Sequence, residues 1–143
     1  MISLALQTIY IISPNLITDG SCFLVTTSFP LPTIVGCSAY TYRTKENLFL
    51  DPKMDAAIWK ALYVHPEWAR KGIGRLLLRA CEEGARERGF RKMEFAATFA
   101  GKEFYLREGY EVLRDGEGEE LRDERDLGEG EKLVLGRMGK DLI

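Results

Sequence analysis

Between Ala57 and Arg88 the spacing of apolar residues changes from that of a strand to that of a helix, and the change falls at a pair of glycines. Ala57 to Val64 reads as a strand, closed by His65-Pro66 because a residue before proline is pushed out of the helical region. From Gly72 to Arg88, Ile73, Leu77, Ala80, Cys81 and Gly84 recur on one helical face. Arg75, Arg79, Glu82, Glu83, Arg86 and Glu87 take the opposite face, where Glu82 and Arg86 have the spacing of a favourable i,i+4 pair. Gly89 then suits the residue just past a helix end. Met93 to Ala97 resumes as a strand. Strand, glycine turn, helix and strand together predict an α/β fold with at least one parallel crossover.

Punctuation elsewhere is compatible with this. Asp19-Gly20 and the prolines at 30 and 32 bracket two strands, Cys22 to Thr27 and Ile34 to Tyr42, which read as a hairpin. Residues Met1 to Asn15 are ambiguous: Thr8 to Ile12 suits either a strand or part of a helix, and Pro14 ends it. Downstream, Lys102 to Arg107 reads as a short helix stopped by Gly109, Tyr110 to Leu113 as the start of a strand, and Lys132 to Met138 as a closing strand. Asp115 to Glu131 carries nine acidic residues against two arginines, with several glycines. Like charge and glycine disfavour packing, so this run is expected to be a mobile loop. A chain of 143 residues without internal repeats is expected to form one domain, residues 1–143.

Charge and cysteine content narrow the function classes. The formal net charge of −2 gives no reason to expect nucleic acid or an anionic membrane as partner. Locally, Arg70 to Lys92 holds eight basic residues and three acidic ones, beside the glycine pair. Three cysteines without a spacing pattern argue for a reducing compartment, hence a cytoplasmic or nuclear protein. No apolar run approaches the ~20 residues that span a bilayer. Met1 to Ser13 lacks the basic start and small-residue cleavage site of a signal peptide. His65 is the single histidine, and its place before Pro66 suggests a structural role; no metal site is expected.

A strand entering a glycine turn and then a helix leaves free backbone N–H groups at the helix start, where the helix dipole also favours anions. Gly72 and Gly74 would let a phosphate approach the backbone, with Arg70, Lys71 and Arg75 adding positive charge. Spacing alone leaves a turn at Gly72 and a packing site at Gly74 as an equal reading. The Walker and dinucleotide-binding templates both fail, the second because Leu77 stands where a third glycine is needed.

The stretch Leu62-Tyr63-Val64-His65-Pro66-Glu67-Trp68-Ala69-Arg70-Lys71-Gly72-Ile73-Gly74-Arg75-Leu76-Leu77 resembles the cofactor-binding motif of the GNAT acetyltransferase superfamily. There, V-x-P leads into [QR]-x-x-G-x-[GA] at the start of a long helix. Downstream, Phe104-Tyr105-Leu106-Arg107-Glu108-Gly109-Tyr110 resembles the second signature, Y-x-x-x-G-[FY]. Leu16 to Val25 and Ile34-Val35-Gly36 resemble the second and third strands, so the likeness covers residues 16 to about 140. It implies a mostly antiparallel mixed sheet with a splayed parallel strand pair and flanking helices. Departures are Ala69 where Gln or Arg is usual, and Thr98 and Gly101 where Asn and Ala are frequent. Too little chain precedes Cys22 for the usual first strand and two helices, so the N-terminal elements are expected to be shortened.

The resemblance implies an N-acetyltransferase that moves acetyl from acetyl-CoA to a primary amine of a small molecule or peptide by direct attack. Pantetheine would lie between Ala57–Val64 and Met93–Ala97. Leu62, Tyr63 and Val64 would border it, and Arg70, Lys71, Gly72, Ile73, Gly74 and Arg75 would hold the pyrophosphate. Tyr105 takes the general-acid position. Glu94, Asp55 or a water chain could accept the amine's proton, and the base is left unassigned. Trp68 either covers the adenine or sits at the surface. The partners implied are acetyl-CoA and an amine, with a homodimer left open. A non-catalytic acyl-CoA-binding or interaction module is the alternative, as is use of a longer acyl donor.

Overall fold

The computed structural model describes residues 14–27, 31 and 33–142. The Thr8–Ile12 run, the prolines at 30 and 32, and the question of the first strand and helices lie outside them. Helix α1 (Pro14–Thr18) opens the described chain, followed by β1 (Cys22–Thr27), β2 (Thr33–Thr41) and β3 (Ala57–Val64). A single 3-10 turn at Pro66–Trp68 leads to helix α2 (Ile73–Glu87) and strand β4 (Lys92–Ala97). Helix α3 (Lys102–Arg107), β5 (Glu111–Val112), β6 (Arg122–Gly128) and β7 (Glu131–Asp141) complete it.

The seven described strands form one sheet in the order β1-β2-β3-β4-β7-β5, with β6 also on β7. Every pairing is antiparallel except β3 with β4, which α2 connects as the parallel crossover. This is the mixed, mostly antiparallel sheet with flanking helices expected above. The parallel ladder is short: only Ala57–Met93 and Ile58–Glu94 are partners, and beyond them the two strands part.

Helix α2 packs across β1, β2 and β3. Its buried side chains are Leu77, Leu78, Cys81, Glu82 and Ala85, so the buried stripe lies partly round the helix from the face expected. Full burial of Leu77 and of Leu78 contributes about 1.5–3 kcal/mol each. Close approach to β2 depends on Gly36, where a Cβ would meet Ile73 and Leu77 side-chain atoms at 3.0 Å. The helix ends where Phe90 N–H bonds the Ala85 carbonyl and Gly89 N–H bonds that of Arg86. Gly89 takes φ +92°, a conformation that costs other residues about 1–2 kcal/mol.

Three expectations are corrected. Asp115 to Glu131 is not a mobile loop: Arg122–Gly128 is strand β6, paired residue by residue with β7 from Gly136 to Glu131. Backbone ladder bonds hold it although every β6 residue is exposed. Leu16 is not part of a strand but of α1, which ends when Ser21 N–H and its hydroxyl both bond the Leu16 carbonyl and Gly20 N–H bonds that of Ile17. Glu82, expected on the solvated face, is 3% exposed. Its carboxylate accepts bonds from Lys140 Nζ at 3.0 and 3.3 Å and from the Tyr110 hydroxyl at 3.0 Å. Among the described residues no helix is long and apolar enough to cross a membrane.

Candidate active site

Strand β3 is bent where it leaves β4. Its register with β2 passes from Tyr40–Trp59 to Ala39–Ala61, so Lys60 is an extra residue, a β-bulge. Buried Ser38 pins it. Its hydroxyl donates to the Ala61 carbonyl at 2.6 Å, accepts from Trp59 Nε1 at 2.7 Å and lies 3.4 Å from Cys81 Sγ. Both lone pairs and the proton are thereby engaged.

Beyond the bulge the backbone of β3 turns half of its polar groups away from β2. His65 N–H bonds the Val35 carbonyl, so in the antiparallel alternation Cys37–Tyr63 is a hydrogen-bonded pair. Ser38–Leu62 and Gly36–Val64 are then non-bonded pairs, and the N–H and C=O groups of Leu62 and Val64 point into the gap left by β4. The side chains of Leu62 and Val64 meet α2 at Gly74, where a Cβ would lie 3.7 and 4.0 Å from them. Tyr63 has its backbone toward β2 and so borders the gap less directly.

The start of α2 lies beside this gap. Gly72 is its N-cap with φ +82°, and no side chain caps the helix. The N–H groups of Ile73, Gly74 and Arg75 thus have no intrahelical acceptor. Nothing lies within 4 Å of a Cβ built on Gly72, so the glycine is required by its backbone angle and leaves open space in front. Arg70 also has positive φ, +61°, an uncommon state for a residue with a side chain. Lys71 Nζ sits 4.8 Å from the centre of the half-buried Trp68 ring. Arg75 is directed elsewhere: its Nε bonds Glu108 Oε1 at 2.8 Å. His65 is structural in this turn, its Nδ1 accepting from Glu67 N–H.

Tyr105 joins the site from α3. Its half-buried ring meets Phe95 edge-on at 4.6 Å, Phe104 at 5.3 Å and Trp59 at 5.4 Å between centroids. A Cβ on Gly101 would lie 2.9 Å from the Tyr105 ring edge, so the departure to glycine there is what seats the ring. Glu94 stands on the opposite face of β4, with Arg137 at 3.4 Å. Asp55 instead accepts from Asp51 N–H in the loop before β3. The three cysteines are free thiols; burial pushes the Cys81 thiol up to about 12, which makes it unreactive at neutral pH.

Two features escaped the sequence: the Ser38 pin and the Glu82–Lys140–Tyr110 cluster. Lys140 Nζ also bonds the Glu108 carbonyl at 2.9 Å, locking the end of α3 to β7 and α2. Burial, and next the Glu82 carboxylate, push the Tyr110 phenol far above its usual value. A cavity of about 560 Å³ between α2 and α3 is bordered by Glu82 and Lys140 and by Arg75, Arg79 and Arg107.

A gap between parallel strands thus stands beside an uncapped, glycine-led helix. Residues 19–112 match the model of the acetyltransferase (GNAT) domain. The chain belongs to the GNAT acetyltransferase family. No curated protein matches it in sequence. Ribosomal-protein-alanine N-acetyltransferase from Brucella melitensis superposes with a TM-score of 0.66 at 20% identity, over 89% of this chain and 72% of that one. N-acetylglutamate synthase from Neisseria gonorrhoeae, solved with coenzyme A and N-acetyl-glutamate, gives 0.66 at 15% identity over 97% and 31%. A GCN5-related N-acetyltransferase from Rhodopseudomonas palustris gives 0.62 at 23% over 86% and 62%. At these identities the likeness is one of fold. Several matched structures are longer; the chain spans 60 to 68% of three of them.

Proposed function

We propose that this protein transfers acetyl from acetyl-CoA to a primary amine of a small molecule or peptide, by direct attack of the amine on the thioester. The observation that carries the reading is the gap in the sheet. It presents the backbone of Leu62 and Val64 next to the free N–H groups of Ile73, Gly74 and Arg75. In this reading the pyrophosphate rests on those N–H groups, with Arg70 and Lys71 adding charge. Pantetheine amides pair with Leu62 and Val64, and an N–H of β3 polarises the thioester carbonyl. Tyr105 gives its phenolic proton to the departing thiolate. Glu94 is held by Arg137, so the amine's proton leaves through water in this account.

The test has two arms. Calorimetry should show CoA binding to the wild type and its loss when Gly72 and Gly74 both become bulky residues. Tyr105→Phe should keep CoA affinity while acetyl transfer falls about a hundredfold or more. Unchanged binding in the glycine variant would overturn the cofactor site. Wild-type turnover in Tyr105→Phe, with chemistry rate-limiting, would demote Tyr105 to a packing residue. CoA binding without transfer to any amine would favour a binding module.

A further inference from the structure

The face of the sheet turned away from α2 holds cations that no carboxylate neutralises among the described residues. Contacts assign the faces. Ser38 and Tyr40 face α2, through Cys81 and through Gly84, and Trp59 joins them by its bond to Ser38. Phe95 meets Trp59 edge-on, and Met138 is the β7 partner of Phe95. Alternation then puts Arg137, Leu135 and Leu133 on the other face, with their β6 partners Asp123 and Arg125. Lys60, the extra residue between Trp59 and Ala61, is exposed and lies near enough to Arg125 for the two charges to interact.

The register places these groups at the mouth of the gap. Strand β4 ends at Ala97 opposite Gly136, while β7 and β6 continue past it as a hairpin. Lys60 stands on β3 two residues beyond Ile58, which is level with Glu94, and Arg125 stands beyond the opening on β6, across β7. Partial burial of the Lys60 ammonium group lowers its pKa below the ordinary lysine value, and the charges of Arg125 and Lys45 lower it further. Among the described residues none of these three cations forms an ion pair, and Asp123 does not pair with Arg125. Neighbouring cations are satisfied, Arg137 by Glu94 and Lys132 by Glu124. Like charges converging at a site mouth without a counterion favour an anion between them.

We propose that Lys60 and Arg125 bind a carboxylate on the acceptor, so that the substrate is an amine whose own molecule carries a carboxylate, as an amino acid does. This rests on the acetyl-transfer reading above. The pair acts on the face opposite the Gly72–Gly74 loop and so is separate from the pyrophosphate position.

The experiment compares acetyl transfer to amino acids with transfer to their α-amides, following release of the CoA thiol. The acids should be preferred at least tenfold in kcat/KM. In the double variant Lys60→Gln, Arg125→Gln the acid-to-amide ratio should fall to near one through KM, with CoA affinity as the control for folding. Equal use of acids and amides by the wild type would overturn the proposal, as would a ratio unmoved in the variant. Preference for a phosphate-bearing amine such as phosphoethanolamine would overturn the carboxylate assignment. If no amine is acetylated, the transfer reading fails separately. The anion site is then read by NMR of the Lys60 ε-methylene in the CoA-saturated protein. N-acetylalanine should shift that signal and N-acetylalaninamide should not; equal or absent shifts would refute the site.

Discussion

Replacing Gly101 by alanine should destabilise the protein through one ring. Gly101 has φ −88° and ψ −12°, angles that alanine adopts without strain. Freezing out backbone entropy in the unfolded chain would by itself stabilise the variant by about 0.4–1 kcal/mol. Against that, the new methyl would sit 2.9 Å from the Tyr105 ring edge, about 0.5 Å or more inside ordinary contact. The ring cannot retreat freely, since Phe95, Phe104 and Trp59 surround it at 4.6 to 5.4 Å between centroids. Overpacking of this kind costs about 1–3 kcal/mol, so the net loss should be up to roughly 2.6 kcal/mol. For a chain of this size that is a drop in Tm of up to about 8 °C. Urea denaturation monitored by tryptophan fluorescence gives the free energy. The decisive comparison is in a Tyr105→Ala background, where the methyl has nothing to strike and Gly101→Ala should become neutral or stabilising. The same loss in both backgrounds would refute the steric argument.

Other changes probe the rest of the scaffold. Ser38→Ala strands the Trp59 indole N–H and frees the bulge, and should cost about 2–4 kcal/mol in chemical denaturation. Glu82→Ala leaves Lys140 half-buried without its carboxylate and should cost about 3–5 kcal/mol; Glu82→Leu with Lys140→Met should recover most of that loss. Two bonds from Arg43 hold the Asp19 carboxyl below its usual value. Its contribution is therefore complete above pH ~4 and is lost as pH falls through the lower folded value. Asp19→Asn should flatten the acid limb of a stability–pH curve, and an unchanged limb would remove Asp19 from the account.

The sequence made some of this legible for identifiable reasons. Ala57–Val64 and the helix from Ile73 were readable because a proline and a glycine pair separate two clear periods. The glycine loop could be placed for the same reason. Strand β6 was not readable, because Arg-Asp-Glu-Arg-Asp-Leu-Gly is exposed on both faces and carries no alternation; only its backbone partners define it. Glu82 was hidden because its partners stand 28 and 58 residues away in the chain, and a helix wheel sees neither. Arg75 looked like a phosphate ligand by position, yet Glu108, 33 residues on, takes its guanidinium.

The two-rung ladder between β3 and β4 makes the sheet an unfinished one, joined at Ala57–Ile58 and open above. A ligand that bonds Leu62 and Val64 would act as a short added strand, supplying the rungs β4 does not. Occupancy should then show as slowed amide exchange at Leu62 and Val64 and as a concentration-dependent rise in Tm. Under the proposed acetyl transfer, acetyl-CoA would be a structural insert as well as a reagent, and release of spent CoA would reopen the same seam at every turnover.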